Sequence, residues 1–206
     1  TLLPGPYATF LLASMGAKVT KVSAPGKIDL VLESGPRAST GETANRIWLH
    51  HSKDEIFVDL KNEEGLRKIL KLIESGQYNC IFEQFRPGVM DKLGLGYKTV
   101  KKIAPDIVYV SISGYGQEGE YAMRAGHDIN YLALSGNMSY SGREAFGPAL
   151  YGMQVADIAA SQNSVIGVLA AHNQSQRRSR RCCYLGQRNS VQRYERRGSH
   201  AQRTRS

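Results

Sequence analysis

Two residues in the second half of the chain could exchange a proton with a single carbon atom. His127 stands between Gly126 and Asp128, at the start of a predicted short helix. Asp157 follows in an apolar stretch, residues 155–160, where an ionised carboxylate is costly unless it is paired or functional. A histidine and a carboxyl group on opposite sides of a carbon could remove a proton from one face and return one to the other.

The expected surroundings of both side chains suit proton transfer. Asp128 is predicted to cap the helix that follows it, which places His127 at a positive helix end. Such an end favours the neutral imidazole and can stabilise an oxyanion. Partial burial would raise the pKa of Asp157 and make it a better proton carrier. The alternatives are a structural histidine at 127, and an Asp157 that caps its helix or forms a salt bridge.

A glycine-rich segment, residues 114–119, fits the G-x-G-x-x-G pattern of dinucleotide-binding sites and follows a predicted strand. The next residues, 120–124, are few and polar, whereas a pyrophosphate site needs an apolar helix with its N-terminus at the phosphates. No strand ending in an acid follows about 20 residues later. We therefore interpret the segment as a turn that leads to Gly126.

Helix and strand patterns alternate through the first part of the chain, and this order predicts an α/β fold with a Rossmann-like parallel sheet flanked by helices. The stretch 23–52 is rich in Gly, Pro, Ser and Thr and is predicted to be a long loop. Strands are predicted over 17–22, 55–60, 79–82 and 106–113, and helices over 7–15, 62–76, 86–93, 97–103, 128–135 and 154–172.

The excess positive charge is concentrated at one end of the chain. The formal net charge is +9, and residues 173–206 hold ten of the 27 basic residues, all Arg, but one of the 18 acids, which leaves 17 of each in 1–172. This composition predicts a partial α/β domain over 1–172 and a disordered Arg-rich tail over 173–206. A patch that binds nucleic acid or an anionic membrane, and a segment translated in a wrong frame, are the alternatives for the tail.

Other function classes find little support in the composition. The three cysteines, Cys80, Cys182 and Cys183, suit neither a disulfide framework nor a zinc site, so we expect a reducing interior and no metal. No apolar run approaches the roughly 20 residues that span a bilayer. The chain begins with Thr1 and shows no signal peptide, and we expect the true N-terminus to lie further upstream.

Several segments together resemble, in the right order, the α-methylacyl-CoA racemases of the family III CoA-transferase (CaiB/BaiF-like) group. The resemblance runs from about residue 4 to 172 and is strongest in the A-G-H-D-I-N-Y-L-A-L-S-G stretch. The matching segments are Pro4–Pro6 with Gly16–Ala17, Val58–Lys61, Phe85–Met90, Leu93–Gly96, Ser113–Gln117 and Ala125–Gly136.

The resemblance implies a CoA thioester with a methyl group at carbon 2, and proton exchange at that carbon through an enolate. It implies no cofactor other than the coenzyme A of the substrate, and it places His127 and Asp157 as the acid/base pair. Residues implied to contact CoA or to shape the pocket are Val58, Asp59, Leu60, Lys61, Arg86, Gly126, Asp128, Ile129, Asn130 and Tyr131. Phosphate recognition supports this assignment for Lys61 and Arg86.

The chain departs from the family pattern at several positions. A D-R-P-G pattern reads Ser23–Gly26, G-K-R-S reads Ser52–Glu55, and D-F-A-G-G reads Asp157–Ser161. Similarity ends near His172, where relatives continue into a second domain, and this indicates a truncated chain with an unrelated tail.

We therefore expect a racemase acting on 2-methylacyl-CoA, whose activity the truncation would impair. The alternatives are CoA transfer to a free carboxylic acid with Asp157 as nucleophile, and an inactive fragment whose basic tail binds polyanions non-specifically. Relatives imply a homodimer of interlocked chains and no membrane partner. The expected location is intracellular, in a peroxisome or mitochondrion of a eukaryote or in bacterial cytoplasm.

Overall fold

A computed structural model of the chain describes residues 2–176. The predictions for the Arg-rich tail, including polyanion binding, fall almost entirely outside these residues. The helices are α1 (Pro4–Ser14), α2 (Ala44–Leu49), α3 (Glu63–Glu74), α4 (Val89–Lys92), α5 (Tyr97–Ile103), α6 (Asp128–Leu134) and α7 (Val155–Gln176), with a 3₁₀ helix over Asn137–Tyr140. The strands are β1 (Val19–Ser23), β2 (Lys53–Phe57), β3 (Cys80–Glu83) and β4 (Val108–Ser111).

The strands form two parallel pairs. β1 pairs with β2 with Val19 opposite Lys53, and β3 pairs with β4 with Cys80 opposite Val108. The predicted α/β class with parallel strands flanked by helices is confirmed, but hydrogen bonds join the strands as two pairs and not as one continuous sheet. Parallel pairing brings the carboxyl ends of both partners to one edge, which is where ligands bind in open α/β folds.

Helices cover both faces of the β3–β4 pair because the side chains of β4 alternate between two apolar clusters. Val110 packs with Ala8 and Leu12 of α1 and with Val165 and Val168 of α7. On the opposite face the cluster contains Ile73 of α3, Val100 of α5 and Tyr109 of β4, together with Leu95 and Ile107 from the connecting segments. The second cluster is tied further by the Tyr109 hydroxyl, which donates to the carbonyl of Leu95 at 2.9 Å. The result is a layer of strands between two layers of helices.

Helix α1 is anchored to its neighbours by polar contacts as well as by packing. The ammonium group of Lys53 donates to the carbonyl of Pro6 and to Thr9 Oγ1, both at 2.8 Å. The hydroxyl of Ser161, which is completely buried, shares its one proton between the carbonyl of Pro4 at 2.9 Å and that of Asp157 at 2.8 Å. The N-terminal turn of α1 is therefore held by β2 on one side and by α7 on the other.

Helix caps explain why most predicted bounds agree with the structure. The side chain of Asn62 accepts a hydrogen bond from the N–H of Gly65 at 2.7 Å, as expected for the start of α3. Gly16 and Gly76 have positive φ angles of 93° and 71° just after α1 and α3, which is the left-handed conformation that ends a helix. Helix α7 continues to Gln176, four residues beyond the predicted end at 172.

Two predictions for residues 23–60, the long loop and the bounds of the second strand, were wrong. Residues 23–52 are not a continuous loop, because α2 begins after Thr43, whose hydroxyl accepts from the N–H of Arg46 at 3.2 Å. Strand β2 starts at Lys53 rather than at residue 55 and ends at Phe57. It ends early because the Asp59 side chain folds back to accept the N–H of Lys61 at 3.0 Å, which turns the chain.

Among the helices of the described range, none is both long and apolar enough to cross a membrane. Within residues 2–176, no group of three or more His, Cys, Asp or Glu side chains is arranged to hold a metal ion.

Candidate active site

His127 lies at the N-terminal end of α6, with its side chain exposed. Its backbone is extended, with φ −128° and ψ 175°, and its N–H donates to Asn130 Oδ1 at 2.9 Å. The cap residue of α6 is thus His127 itself, so the prediction that Asp128 caps its own helix was wrong. Asn130, which the resemblance assigns to the pocket, therefore fixes the backbone of the histidine through its side-chain oxygen.

The carboxylate of Asp128 serves a different helix. Its Oδ1 accepts the N–H of Ala156 at 2.7 Å and the N–H of Asp157 at 3.1 Å. These groups belong to the first turn of α7, where N–H groups have no partner within the helix. A single side chain therefore joins the turn that carries His127 to the turn that carries Asp157.

Asp157 lies partly buried in the first turn of α7. Burial, with a further contribution from the negative charge of Asp128, raises the pKa of its carboxyl group from 3.8 to about 6, and His127 opposes the shift. Among the described residues, no side-chain or backbone donor is hydrogen-bonded to its carboxyl oxygens. The predicted rise in pKa is confirmed, and Asp157 can carry or release a proton near neutral pH.

Tyr131 forms the wall of the site on the α6 side. Its hydroxyl donates to the carbonyl of Gly126 at 2.6 Å, and its ring meets Tyr115 edge-on with centroids 5.2 Å apart. Burial raises the pKa of the Tyr131 phenol to about 12, with further contributions from the nearby charges of Asp157 and Asp128. Tyr131 is therefore a neutral hydrogen-bond donor at physiological pH.

The glycine-rich segment 114–119 packs against this tyrosine. A Cβ built on Gly114 would lie 2.3 Å from the Tyr131 hydroxyl oxygen. The next α-helix along the chain is α6, beginning at Asp128, so no helix N-terminus directly follows the segment. This agrees with the interpretation of the segment as a turn leading to Gly126.

The predicted CoA-contacting residues lie in loops at the carboxyl ends of strands. Val58 is buried and donates its N–H to the carbonyl of Ser23 at 2.8 Å, directly after β2. Asp59 and Lys61 follow it in the exposed turn before α3, and Arg86 is exposed in the loop after β3. In residues 2–176 neither Lys61 nor Arg86 forms an ion pair with a carboxylate.

Two further predicted pocket residues, Leu60 and Ile129, are apolar and differ in their surroundings. Leu60 is half-buried and packs beside the cluster of α3 and α5. Ile129, on the first turn of α6, leaves 44% of its surface exposed. Such an exposed apolar side chain beside His127 is available to contact an acyl chain.

Sequence reasoning missed a charged depression at the carboxyl ends of β1 and β2. It has a volume of about 400 Å³, and neither His127 nor Asp157 lines it. Lys21 bridges Asp29 at 3.0 Å and Glu55 at 3.1 Å within it. The strand register was the available signal, because it places Lys21 directly opposite Glu55.

The same depression explains one departure from the family pattern. The pattern has an acid in place of Ser23 and a serine in place of Glu55, and here Ser23 Oγ donates to Glu55 Oε1 at 2.5 Å. In this chain the two departing positions are therefore joined by a hydrogen bond. Nearby, Nδ1 of His50 is buried without a hydrogen-bond partner among the described residues, and burial lowers the pKa of that imidazole.

Comparison with known proteins agrees with the fold and with the resemblance. The model of the CoA-transferase family III matches residues 1–183, so the match extends beyond residue 172. The chain belongs to this family. Its fold is similar to a CAIB/BAIF family protein from Brucella suis, with a TM-score of 0.81 and 28% identity over 95% of this chain and 55% of that one.

Curated relatives include enzymes of two activities. The chain is 37% identical to succinyl-CoA:glutarate CoA-transferase of Mus musculus over 77% of this chain and 36% of that enzyme. It is also 37% identical to α-methylacyl-CoA racemase of Mus musculus over 71% of this chain and 34% of that enzyme. The chain spans about a third of the length of these relatives. Homodimer formation and cellular location stay predictions.

Proposed function

We propose that this chain carries the proton-transfer site of an enzyme that interconverts the two configurations of 2-methylacyl-CoA thioesters. The observation that supports this most is the Asp128 carboxylate, which bonds the first turn of α7 beside Asp157 and directly follows His127. An imidazole and a carboxyl group whose pKa is raised to about 6 can exchange a proton on one carbon.

The proposed reaction conserves protons across the pair. Neutral His127 takes the proton from carbon 2, the electron pair of the broken C–H bond moves to the thioester carbonyl, and an enolate forms. The protonated carboxyl of Asp157 then gives its proton to the opposite face of carbon 2. The reverse direction starts from imidazolium and carboxylate, so the pair holds one proton in both productive states.

The raised pKa of Asp157 supports this use of the pair. With a pKa of about 6, its carboxyl group is populated in both forms near neutral pH, whereas an aspartate of ordinary pKa would almost always be ionised. A proton carrier whose pKa lies near the working pH transfers protons in both directions without a large free-energy gap. We propose no cofactor beyond the coenzyme A that the substrate contains.

Recognition of CoA is assigned to the loops at the strand ends. The exposed cations Lys61 and Arg86 have no carboxylate partner among the described residues and are free to meet the phosphates of CoA. Val58, Asp59, Leu60, Gly126, Ile129, Asn130 and Tyr131 complete the proposed substrate contacts.

A second candidate function is CoA transfer, which the 37% identity to a CoA-transferase favours. In that reaction the Asp157 carboxylate attacks the thioester carbonyl, CoA leaves as the thiolate, and an acyl–aspartyl anhydride forms. His127 distinguishes the two functions, because nucleophilic attack by a carboxylate requires no base on the other face.

Incubation of the full chain with 2-methylacyl-CoA in D₂O, without any free acid, separates the two functions. Racemisation predicts deuterium at carbon 2 of both enantiomers, followed by mass spectrometry, and Asp157→Asn and His127→Ala should each lose the label from one enantiomer. The exposed His51→Ala is the matched control and should exchange like the unmodified chain. Acyl exchange that depends strictly on an added carboxylic acid, without deuterium at carbon 2, would establish transfer instead.

A further inference from the structure

The carboxylate of Asp128 is placed between two structural elements rather than towards solvent alone. Its Oδ1 accepts two hydrogen bonds from α7, at 2.7 Å from Ala156 N and 3.1 Å from Asp157 N. Asp128 is only partly exposed, and the next residue on its N-terminal side is His127. A carboxylate at the N-terminus of a 22-residue helix is also stabilised by the helix dipole.

We propose that Asp128 is a positioning residue, whose side chain fixes the Asp157 turn of α7 against the His127 turn of α6 by bonding both N–H groups. This proposal rests on the proposed function. It assigns the Asp128 side chain a role through Asp157, whereas the family resemblance implies a residue that contacts CoA or shapes the pocket.

Among the described residues, the side-chain hydrogen bonds between these two turns are those of Asp128. On α7 the nearest polar anchor is the Ser161 hydroxyl, which is bonded to Pro4 of α1 and so fixes α7 to α1 rather than to α6. On α6 the Asn130 amide bonds the backbone of His127 within the same turn. Hydrogen bonds to a charged group are stronger than those between neutral groups, so two of them can select one arrangement of two packed helix ends.

The charge of Asp128 has a separate consequence for Asp157. The groups that act on the Asp157 carboxyl are Asp128 and His127, and those that act on Tyr131 include Asp157, Tyr115 and Asp128. Removing the charge of Asp128 while keeping its oxygen should lower the pKa of Asp157 from about 6 towards its ordinary value, with α7 still capped.

Two variants separate the hydrogen bonds from the charge. Asp128→Asn keeps an oxygen for the two N–H groups, and Asp128→Ala removes both the oxygen and the charge. Asp106→Ala, an exposed aspartate in the turn before β4, is the matched control. The full chain of each is studied by amide hydrogen exchange and by NMR titration of the ¹³C-labelled aspartate carboxyls, with Asp157→Asn assigning the signal.

In Asp128→Ala the amides of Ala156 and Asp157 should exchange at least tenfold faster, while Asp128→Asn and Asp106→Ala keep their protection. In Asp128→Asn the titration midpoint of Asp157 should fall by at least half a pH unit. Unchanged protection in Asp128→Ala, or equal loss in Asp128→Asn, would overturn the positioning role. Amide exchange and the Asp157 titration do not depend on catalysis. They therefore test the proposal even if the chain does not exchange the proton at carbon 2.

Turnover then separates positioning from contact with the substrate. For a chain that exchanges carbon 2, Asp128→Ala should lower kcat at least tenfold with little change in KM, and Asp128→Asn should recover part of the loss. A rise in KM with kcat retained would instead show that the side chain binds CoA, and would contradict the proposal.

Discussion

The hydroxyl of Tyr131 donates a 2.6 Å hydrogen bond to the carbonyl of Gly126, the residue directly before His127. The tyrosine thereby fixes the chain on both sides of the histidine, because it belongs to the helix that His127 caps. Its ring also occupies the space beside Gly114 and Gly126. A Cβ on either glycine would lie within 3.0 Å of tyrosine atoms, so both positions require glycine for lack of space.

Gly114→Ala should therefore reduce stability. The added methyl group would lie 2.3 Å from the Tyr131 hydroxyl oxygen, which must move and release Gly126. We expect a loss of about 1–3 kcal/mol in the free energy of unfolding, which is typical of overpacking. Urea denaturation measures it. Gly152→Ala is the control, since nothing lies within 4 Å of its added Cβ, and a similar loss in both variants would refute the explanation.

Asp157→Asn should stabilise the fold at neutral pH. Because burial raises the pKa of Asp157 from 3.8 to about 6, the folded state prefers the protonated form. The stabilising contribution of that form is complete below pH 3.8 and is lost as the pH rises through 6. The variant should gain on the order of 1–2 kcal/mol over the unmodified chain at pH 7.5, after allowance for partial exposure, and little at pH 4.

Thermal unfolding at the two pH values tests this prediction, with the exposed Asp106→Asn as the control. If the melting temperatures of Asp157→Asn and the unmodified chain differ by the same amount at both pH values, burial of the ionised carboxylate does not reduce stability.

Lys53→Met should change how stability depends on alkaline pH. Burial lowers the pKa of the Lys53 ammonium from 10.5 to about 8, so the unfolded chain binds more protons between these values. The unmodified chain should therefore gain stability as the pH rises from 8 to 10, by about 1–3 kcal/mol relative to the variant. Lys18→Met, at an exposed lysine, should retain the gain. Parallel curves for all three chains would contradict the assignment.

Ser161→Ala should weaken the attachment of α7 to α1. The variant loses the hydrogen bond to the Pro4 carbonyl, which joins α7 to the first turn of α1, and we expect a loss of about 0.5–1.5 kcal/mol in the free energy of unfolding. Ser164→Ala is the matched control, because the buried hydroxyl of Ser164 bonds Ala160 within α7. Guanidinium denaturation of both variants measures the difference. Equal losses of unfolding free energy in the two variants would show that the Ser161 bond to α1 contributes no more than the Ser164 bond within α7.

Much of the fold could be predicted because local signals determined the element bounds. The Asn62 cap and the glycines at 16 and 76 bound α1 and α3 where the pattern indicated. The start of α2 was also encoded locally, by Thr43, but the surrounding Gly, Pro and Ser concealed it. The start of β2 at Lys53 depends on pairing with β1, which is a contact between distant residues and leaves no local pattern.

The site was predictable as residue types but not as geometry. A carboxylate in an apolar helix indicated the raised pKa of Asp157, since burial is the largest cause of the shift. The partner of Asp128 could not be inferred, because the sequence pattern of a capping aspartate is the same whether its side chain bonds its own helix or another one. The charged depression around Lys21 was missed for a similar reason, since strand pairing assembles it.

We propose that His127 and Asp157 act on opposite faces of carbon 2. The most direct test follows exchange of the (2R) and (2S) thioesters separately in D₂O with His127→Ala and Asp157→Asn. Each variant should incorporate deuterium at carbon 2 of one enantiomer only and should not convert that enantiomer into the other. The two variants should act on opposite enantiomers. Loss of exchange for the same enantiomer in both variants, or equal exchange of both enantiomers by either one, would contradict the account.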